Sequence, residues 1–264
     1  MNITKFISYG FIRFINCLSI SFCFIFLPFY IFNLFRGKKP RNTSWEFGRK
    51  QIYDLGIEYW EKKLNKTGCD FNNKKVLEVG SGNGQWLIAL HNLGSQLVEG
   101  IEPDINILNF SKEKIKDFGK TGKINLIQAS SEKIPHENNK FDYLLCLGVF
   151  MFTDFDKTLN EFKRVLKPEG KLIISFNGFG YLLMKIRLGL FYFRWREVAY
   201  AIIGIINSFS YWLFRKKFGY AVLNYNSAKR LMKKYSFYID KCFLHNDIDN
   251  LYNEEIFLFP TNYL

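Results

Sequence analysis

Through the middle of this chain, short apolar runs closed by glycine or proline alternate with amphipathic stretches, which predicts a parallel α/β sheet. The run from Lys75 to Val79 ends in a turn at Gly80, and Ser81 to Leu90 reads as a helix. Strand, glycine-rich turn and helix form the opening unit of a doubly wound sheet, whose ligand sits at the carboxyl end of the strand. Gln96 to Ile101 is a second strand, closing on Glu102-Pro103-Asp104. Ile124 to Ile127, Phe141 to Leu147 and Gly170 to Ser175 supply three more strands, with a helix from Phe155 to Leu166 before the last. Asn226 is placed to cap a helix through Tyr235. Phe237 to Leu244 and Glu255 to Phe259 then complete an expected seven-stranded, mostly parallel, Rossmann-like sheet.

Two other apolar patterns do not belong to that sheet. Phe14 to Phe35 holds 22 residues without a charge, 14 of them Phe, Ile or Leu. As a helix it is about 33 Å long, against a hydrocarbon core of about 30 Å. Arg36, Lys38, Lys39 and Arg41 follow it, whereas Lys5 and Arg13 precede it. Residues 1–40 therefore read as a membrane segment that leaves the rest, 41–264, on the cytoplasmic side, with a buried core helix as the alternative. Pro28 also allows a bent segment that enters and leaves one leaflet, so spanning and monotopic anchors both fit. Thr43 and Glu46 match a capping box ahead of an amphipathic helix within Trp45 to Leu64.

The second pattern is an insertion after the fifth strand, residues 177–224, far longer than a usual connection. Val198 to Phe214 gives 17 uncharged residues bracketed by Arg194, Arg196, Arg215, Lys216 and Lys217. A helical pair in a membrane interface, a cover over the active site and a lid buried on the sheet all fit this pattern.

Charge changes the picture because it is unevenly placed. The 264-residue chain carries a net +13. Residues 1–75 hold 13 basic and 5 acidic side chains, and residues 177–264 hold 12 and 6. The segment 76–176 between them holds 12 basic and 13 acidic side chains, so the sheet itself is neutral. Cations that bracket apolar runs point to a membrane surface rather than to nucleic acid. Five cysteines, with no C-x-x-C pair, and three scattered histidines argue against a disulfide framework and a metal site.

Gly80, Gly82 and Gly84 precede Gln85, so the third glycine of a G-x-G-x-x-G dinucleotide loop is missing. What the residues do resemble is the class I S-adenosylmethionine-dependent methyltransferases, in their small-molecule and lipid branch. Val76-Leu77-Glu78-Val79-Gly80-Ser81-Gly82-Asn83-Gly84 is similar to the first motif and Gly100-Ile101-Glu102-Pro103-Asp104 to the second. Phe141-Asp142-Tyr143-Leu144-Leu145 resembles the fourth, and Arg164-Val165-Leu166-Lys167-Pro168-Glu169-Gly170-Lys171-Leu172 the post-catalytic motif.

That resemblance implies S-adenosylmethionine as cofactor. Gly80, Ser81, Gly82 and Gly84 would let the backbone approach its methionine part, and Glu78 would hold its ammonium. Glu102 would take the ribose hydroxyls, and the backbone around Ser130 and Ser131 would lie against the adenine. Ser130 stands where the family often has Asp, which departs from the pattern. The stretch Gly148 to Asp154 lacks the histidine found in many relatives, so no catalytic residue is assigned. Phe150, Met151 and Phe152 fit either an apolar mouth for the acceptor or the core. The implied reaction is methyl transfer to an amphipathic or lipid-linked acceptor: a quinone precursor, a lipid or a lipid-carried saccharide. An RNA methyltransferase and a non-catalytic protein that keeps the fold are the rival readings.

Overall fold

A computed structural model of the chain describes residues 53–217, 219–238, 241–243 and 255–260. The expected segment 14–35 and the capping box at Thr43 lie outside the described residues. Two compact units emerge: residues 43–177 with 223–264, and a unit that includes residues 178–222.

The first unit is built on a sheet. Its strands are β1 (Lys75–Val79), β2 (Leu97–Ile101), β3 (Ile124–Ile127), β4 (Phe141–Cys146) and β5 (Leu166–Phe176). These five run parallel in the order β3-β2-β1-β4-β5. Beyond β5 the sheet continues antiparallel through β7 (Glu255–Pro260) and β6 (Lys241–Phe243). Winding reverses at β1, which has β2 on one side and β4 on the other, so the ligand crevice belongs at the carboxyl ends of these two strands.

Strands covered on both faces must be apolar throughout, and Val76, Leu77 and Val79 are at most 1% exposed. One face is covered by α1 (Ile57–Lys66) and α2 (Gln85–Asn92). Trp60 of α1 meets Trp86 of α2 edge-on, with ring centroids 4.8 Å apart. Helix α3 (Ile105–Asp117) starts at Asp104, whose carboxylate accepts from the Asn106 N–H at 2.8 Å. Helix α4 (Phe155–Val165) buries Phe155, Leu159 and Phe162 at helical spacing, and Asp154 caps it by accepting from the Lys157 N–H at 3.2 Å.

Two expectations need correction. Strand β5 starts at Leu166 rather than Gly170, because the ladder with β4 pairs Phe141 with Leu166 and then Tyr143 with Lys171. The intervening Lys167-Pro168-Glu169-Gly170 bulges out opposite Asp142, at a proline that has no N–H to donate. Helix α7 (Tyr225–Lys234) is capped by Asn224, not Asn226. A cap must reach the N–H three residues on, and Asn224 Oδ1 accepts from Ser227 at 2.8 Å.

In the other unit, α5 (Phe179–Phe191) and α6 (Trp195–Phe214) form a hairpin joined by residues 192–194. Their approach is close: a Cβ on Gly189 would lie 2.6 Å from Val198 Cγ2, and one on Gly204 would lie 3.0 Å from Leu182 Cδ2. Residues 219–222 return along α6, where the Asn207 amide donates to the Tyr220 carbonyl at 3.1 Å and Ser208 Oγ accepts from the Val222 N–H at 2.9 Å.

Candidate functional site

The turn between β1 and α2 is held by the end of β2. The N–H groups of Gly80 and Ser81 donate to the Ile101 carbonyl at 2.8 and 3.0 Å. Gly80, Gly82 and Gly84 all have positive φ (72°, 52° and 86°), a conformation that L side chains resist. At Gly80 the space is closed as well, since a Cβ would lie 2.5 Å from Val149 Cγ2 in the loop after β4. At Gly82 a Cβ would meet nothing nearer than the Gly80 carbonyl at 3.8 Å, so its backbone faces open space.

Two carboxyl groups flank this loop. Glu102, 7% exposed, ends β2; its Oε2 accepts from the Gly82 N–H at 3.2 Å and its Oε1 from the Asp104 N–H at 3.1 Å. Burial raises its pKa, while those two N–H groups pull the other way. Glu78, 2% exposed, sits in β1 on the face of its register partner Gly100. Burial first, and the charge of Glu102 second, hold its carboxyl well above the ordinary carboxylate range. Its Oε2 is buried with no hydrogen-bond partner, as are Ser81 Oγ and Asn83 Oδ1 on the loop.

The structure therefore brings Glu78, Gly80, Ser81, Gly82, Gly84 and Glu102 into one small volume. Ser130 and Ser131 follow β3 on the same carboxyl edge. Ser130 is exposed, and its hydroxyl accepts from the Glu132 N–H at 3.2 Å. The Ser131 hydroxyl is committed to Thr158 at 3.1 Å, which leaves its backbone for any ligand. After β4, Phe150 and Met151 are core residues and Phe152 is 53% exposed. Asp154 acts as a cap, and Tyr143 packs on Phe71 with its hydroxyl pushed by burial to about 12.

Three contributors were missed from sequence. Tyr53 donates to the Asn83 carbonyl and stacks on Phe118 at 5.7 Å. Burial, then the charges of Glu78 and Asp117, raises its pKa. No motif surrounds Tyr53, so nothing in the sequence separated it from other aromatic residues. Gly100 is the second: a Cβ there would lie 2.7 Å from Leu87 Cδ1 and 2.9 Å from Ser81 Cβ. It lets α2 and the loop rest directly on β2, and its place in the second motif was a signal that could have identified it. Ser175 is the third, accepting from the Gly148 N–H at 2.8 Å and fixing the loop that carries Val149.

S-adenosylmethionine fits these residues. Its ammonium calls for a buried carboxyl that ionises on pairing with it, and Glu78 offers one with an uncommitted oxygen. Its ribose diol calls for a fixed carboxylate, which Glu102 supplies. A different feature, a groove of about 540 Å³ lined by Lys74, Asp142, Lys167 and Lys171, opens at the amino-terminal end of the strands, away from the glycine loop. Asp142 there is already bonded to Lys167 at 2.6 Å and to the Lys75 N–H at 2.8 Å, so it serves the structure.

Comparison with known proteins agrees with the geometry. The chain is similar to the ubiquinone/menaquinone biosynthesis C-methyltransferase UbiE of Pasteurella multocida, 36% identical over 103 residues covering 38% of each chain. It is also similar to the demethylmenaquinone methyltransferase of Bacteroides fragilis, 30% identical over 123 residues, 46% of this chain and 50% of that one. The chain thus spans about half or less of the length of the curated relatives it matches. In fold it resembles the PH0226 protein of Pyrococcus horikoshii OT3, with TM-score 0.59, 18% identity, and 80% of this chain and 92% of that one covered. A SAM-dependent methyltransferase from Aquifex aeolicus superposes with TM-score 0.55 at 16% identity, over 81% and 97% of the two chains. Residues 50–203, which hold the glycine loop, both carboxylates and all five parallel strands, match the profile of the ubiE/COQ5 methyltransferase family, and the chain belongs to that family.

Proposed function

We propose that this chain is a membrane-associated, S-adenosylmethionine-dependent methyltransferase that methylates a ring carbon of a lipid-tailed quinone precursor. The observation that carries the reading is the pair of buried carboxyls, Glu78 and Glu102, on either side of the Gly80–Gly84 loop. The acceptor class is supported by the relatives, one named a ubiquinone/menaquinone biosynthesis C-methyltransferase and the other a demethylmenaquinone methyltransferase.

When bound, S-adenosylmethionine supplies an electrophilic sulfonium methyl. The chain's own part is to bind and orient. Glu78 in its charged form receives the ammonium, and Glu102, already clamped by two backbone N–H groups, accepts the ribose hydroxyls with little reorganisation. The fixed loop after β4 sets one wall through Val149. Asp154 and Tyr143 are both occupied structurally, so no proton-accepting side chain is assigned. Rate then comes from alignment and from exclusion of water, the terms that dominate when the methyl is already activated.

Membrane association rests on the apolar segment 14–35 and on the basic, apolar insertion. The positive residues 36–41 support a cytoplasmic side for the methyltransferase domain. To test the reading, the protein is incubated with methyl-labelled cofactor and separate quinone-precursor, phospholipid and RNA fractions. Label in the quinone-precursor fraction is the expected result. Label confined to RNA, or in no fraction while cofactor binds, overturns it.

A further inference from the structure

The α5–α6 hairpin inverts the pattern expected of helices in water. Six residues of α6 are covered, and four of them, Ala199, Ala201, Gly204 and Asn207, are small or polar, beside Val198 and Tyr211. Its outward stripe is large and apolar, with Ile206, Phe209, Trp212 and Leu213 exposed by 57%, 60%, 61% and 47%. Small residues between helices and large apolar ones outside are the arrangement of a helix pair surrounded by lipid. The Phe209 and Trp212 rings stack at 5.8 Å, so the patch is a preformed aromatic plate.

Charge says what this patch meets. Residues 178–222 carry seven basic side chains and one acidic one, Glu197. That single carboxylate is bound by Lys185 at 2.5 Å, so the outward charge is of one sign. Arg187, Arg194, Arg196, Arg215 and Lys216 are exposed. The Arg215 guanidinium, three residues beyond Trp212, lies over Tyr211 at 5.4 Å, and at the opposite end of α6 that of Arg194 lies over Tyr192 at 5.6 Å. A nucleic-acid backbone would neutralise these cations but leave Ile206 and Leu213 in water. A bilayer interface accommodates both, with cations among the phosphates and apolar side chains at the acyl boundary.

The build of the hairpin suits lying along a surface rather than crossing one. Helix α6 is, by length and composition, long and apolar enough to cross a membrane, at 20 residues. Its midpoint, however, carries backbone from the returning segment: Tyr220 and Val222 bond to Asn207 and Ser208. Helix α5, at 13 residues, is about 20 Å long and holds Lys185 and Arg187 within it, too short and too charged to span.

We propose that the outward face of the α5–α6 hairpin docks in the plane of an anionic lipid bilayer, with Ile206, Phe209, Trp212 and Leu213 inserted. This deepens the membrane-associated reading above and rests on it, naming the surface and the lipid charge it takes.

The test uses the full chain with vesicles of brominated phosphatidylcholine, with and without phosphatidylglycerol, and reads quenching of tryptophan emission. The component contributed by Trp212 is obtained by subtracting the conservative variant Trp212→Phe. That component should be quenched in the anionic vesicles. Replacing Arg194 and Arg196 together by Ala should raise several-fold the phosphatidylglycerol content needed for half the effect. Vesicle-bound protein with an unquenched Trp212 means that another segment holds it, and overturns the proposal. Equal quenching in pure phosphatidylcholine overturns the anionic partner. Cofactor binding is measured on the same samples. Intact binding with an unquenched Trp212 sinks only the docking surface, whereas a quenched Trp212 without cofactor binding sinks the methyl-transfer reading.

Discussion

Replacing Glu78 by Gln should make the protein more stable and its cofactor binding weaker, two effects of opposite sign from one isosteric change. Glu78 is 2% exposed, and its pKa is raised by burial and by Glu102. A carboxyl whose folded pKa lies above its unfolded one binds its proton more tightly when folded. Its stabilising contribution is therefore complete below the unfolded carboxylate range and is lost as pH rises through the folded value. Above the folded Glu78 pKa the ligand-free protein holds an uncompensated buried charge, and Gln removes it. Removing the ionisable charge while keeping a buried polar group of the same shape is worth about 1–3 kcal/mol, which raises Tm by roughly 2–10 °C for a domain of this size. The gain should shrink as pH falls toward the unfolded carboxylate range, where the native side chain is neutral. Cofactor affinity moves the other way: losing a charge-assisted bond to the ammonium costs about 1.5–3 kcal/mol, or roughly 10- to 150-fold. Wild-type affinity should also rise with pH through the folded Glu78 pKa, and Gln should remove that part of the slope. Thermal scans across pH, with and without S-adenosylmethionine, read both effects. A Gln variant that is less stable at every pH, or that binds as tightly as wild type, refutes the placement of Glu78.

Further outcomes follow from the packing. Gly80→Ala forces an L residue into left-handed backbone, at about 1–2 kcal/mol, and overlaps Val149, at about 1–3 kcal/mol more. Adding Val149→Ala should recover only the overlap, which urea titration of the two single variants and the double variant measures. Gly100→Ala, 2.7 Å from Leu87 and 2.9 Å from Ser81, should displace the start of α2 and lower both Tm and cofactor affinity. Asn224→Ala should cost about 1 kcal/mol in urea unfolding, while Asn226→Ala stays within about 0.5 kcal/mol.

What could be read from the sequence is what depends on neighbours along the chain. The turn after β1 needs glycines at 80, 82 and 84 for backbone reasons that act locally, and Glu78 and Glu102 stand at fixed offsets from strand ends. The helix that starts at Phe155 was equally visible, whereas its cap Asp154 and the whole helix capped by Asp104 were not read from the sequence. The remainder depends on contacts distant in sequence. Tyr53 reaches Asn83 across 30 residues, and Gly100 matters because Leu87 and Ser81 lie over it. The Lys167–Gly170 bulge arises from register with β4, not from any preference of its own. The insertion shows the limit most clearly. Its composition announced two apolar helices, yet a run such as 198–214 is apolar on almost every side, so periodicity does not say which face turns inward. Only the covering of Gly204 by Leu182 and Tyr220 settles that.

The central claim is that Glu102 and the glycine loop form an S-adenosylmethionine site. Calorimetric titration of this chain and of its Glu102→Ala variant tests it most directly. Wild type should bind S-adenosylmethionine at one site per chain, and the variant, folded by its thermal transition, should bind at least tenfold more weakly. Equal affinity in the two proteins, or no binding by wild type, would contradict the account.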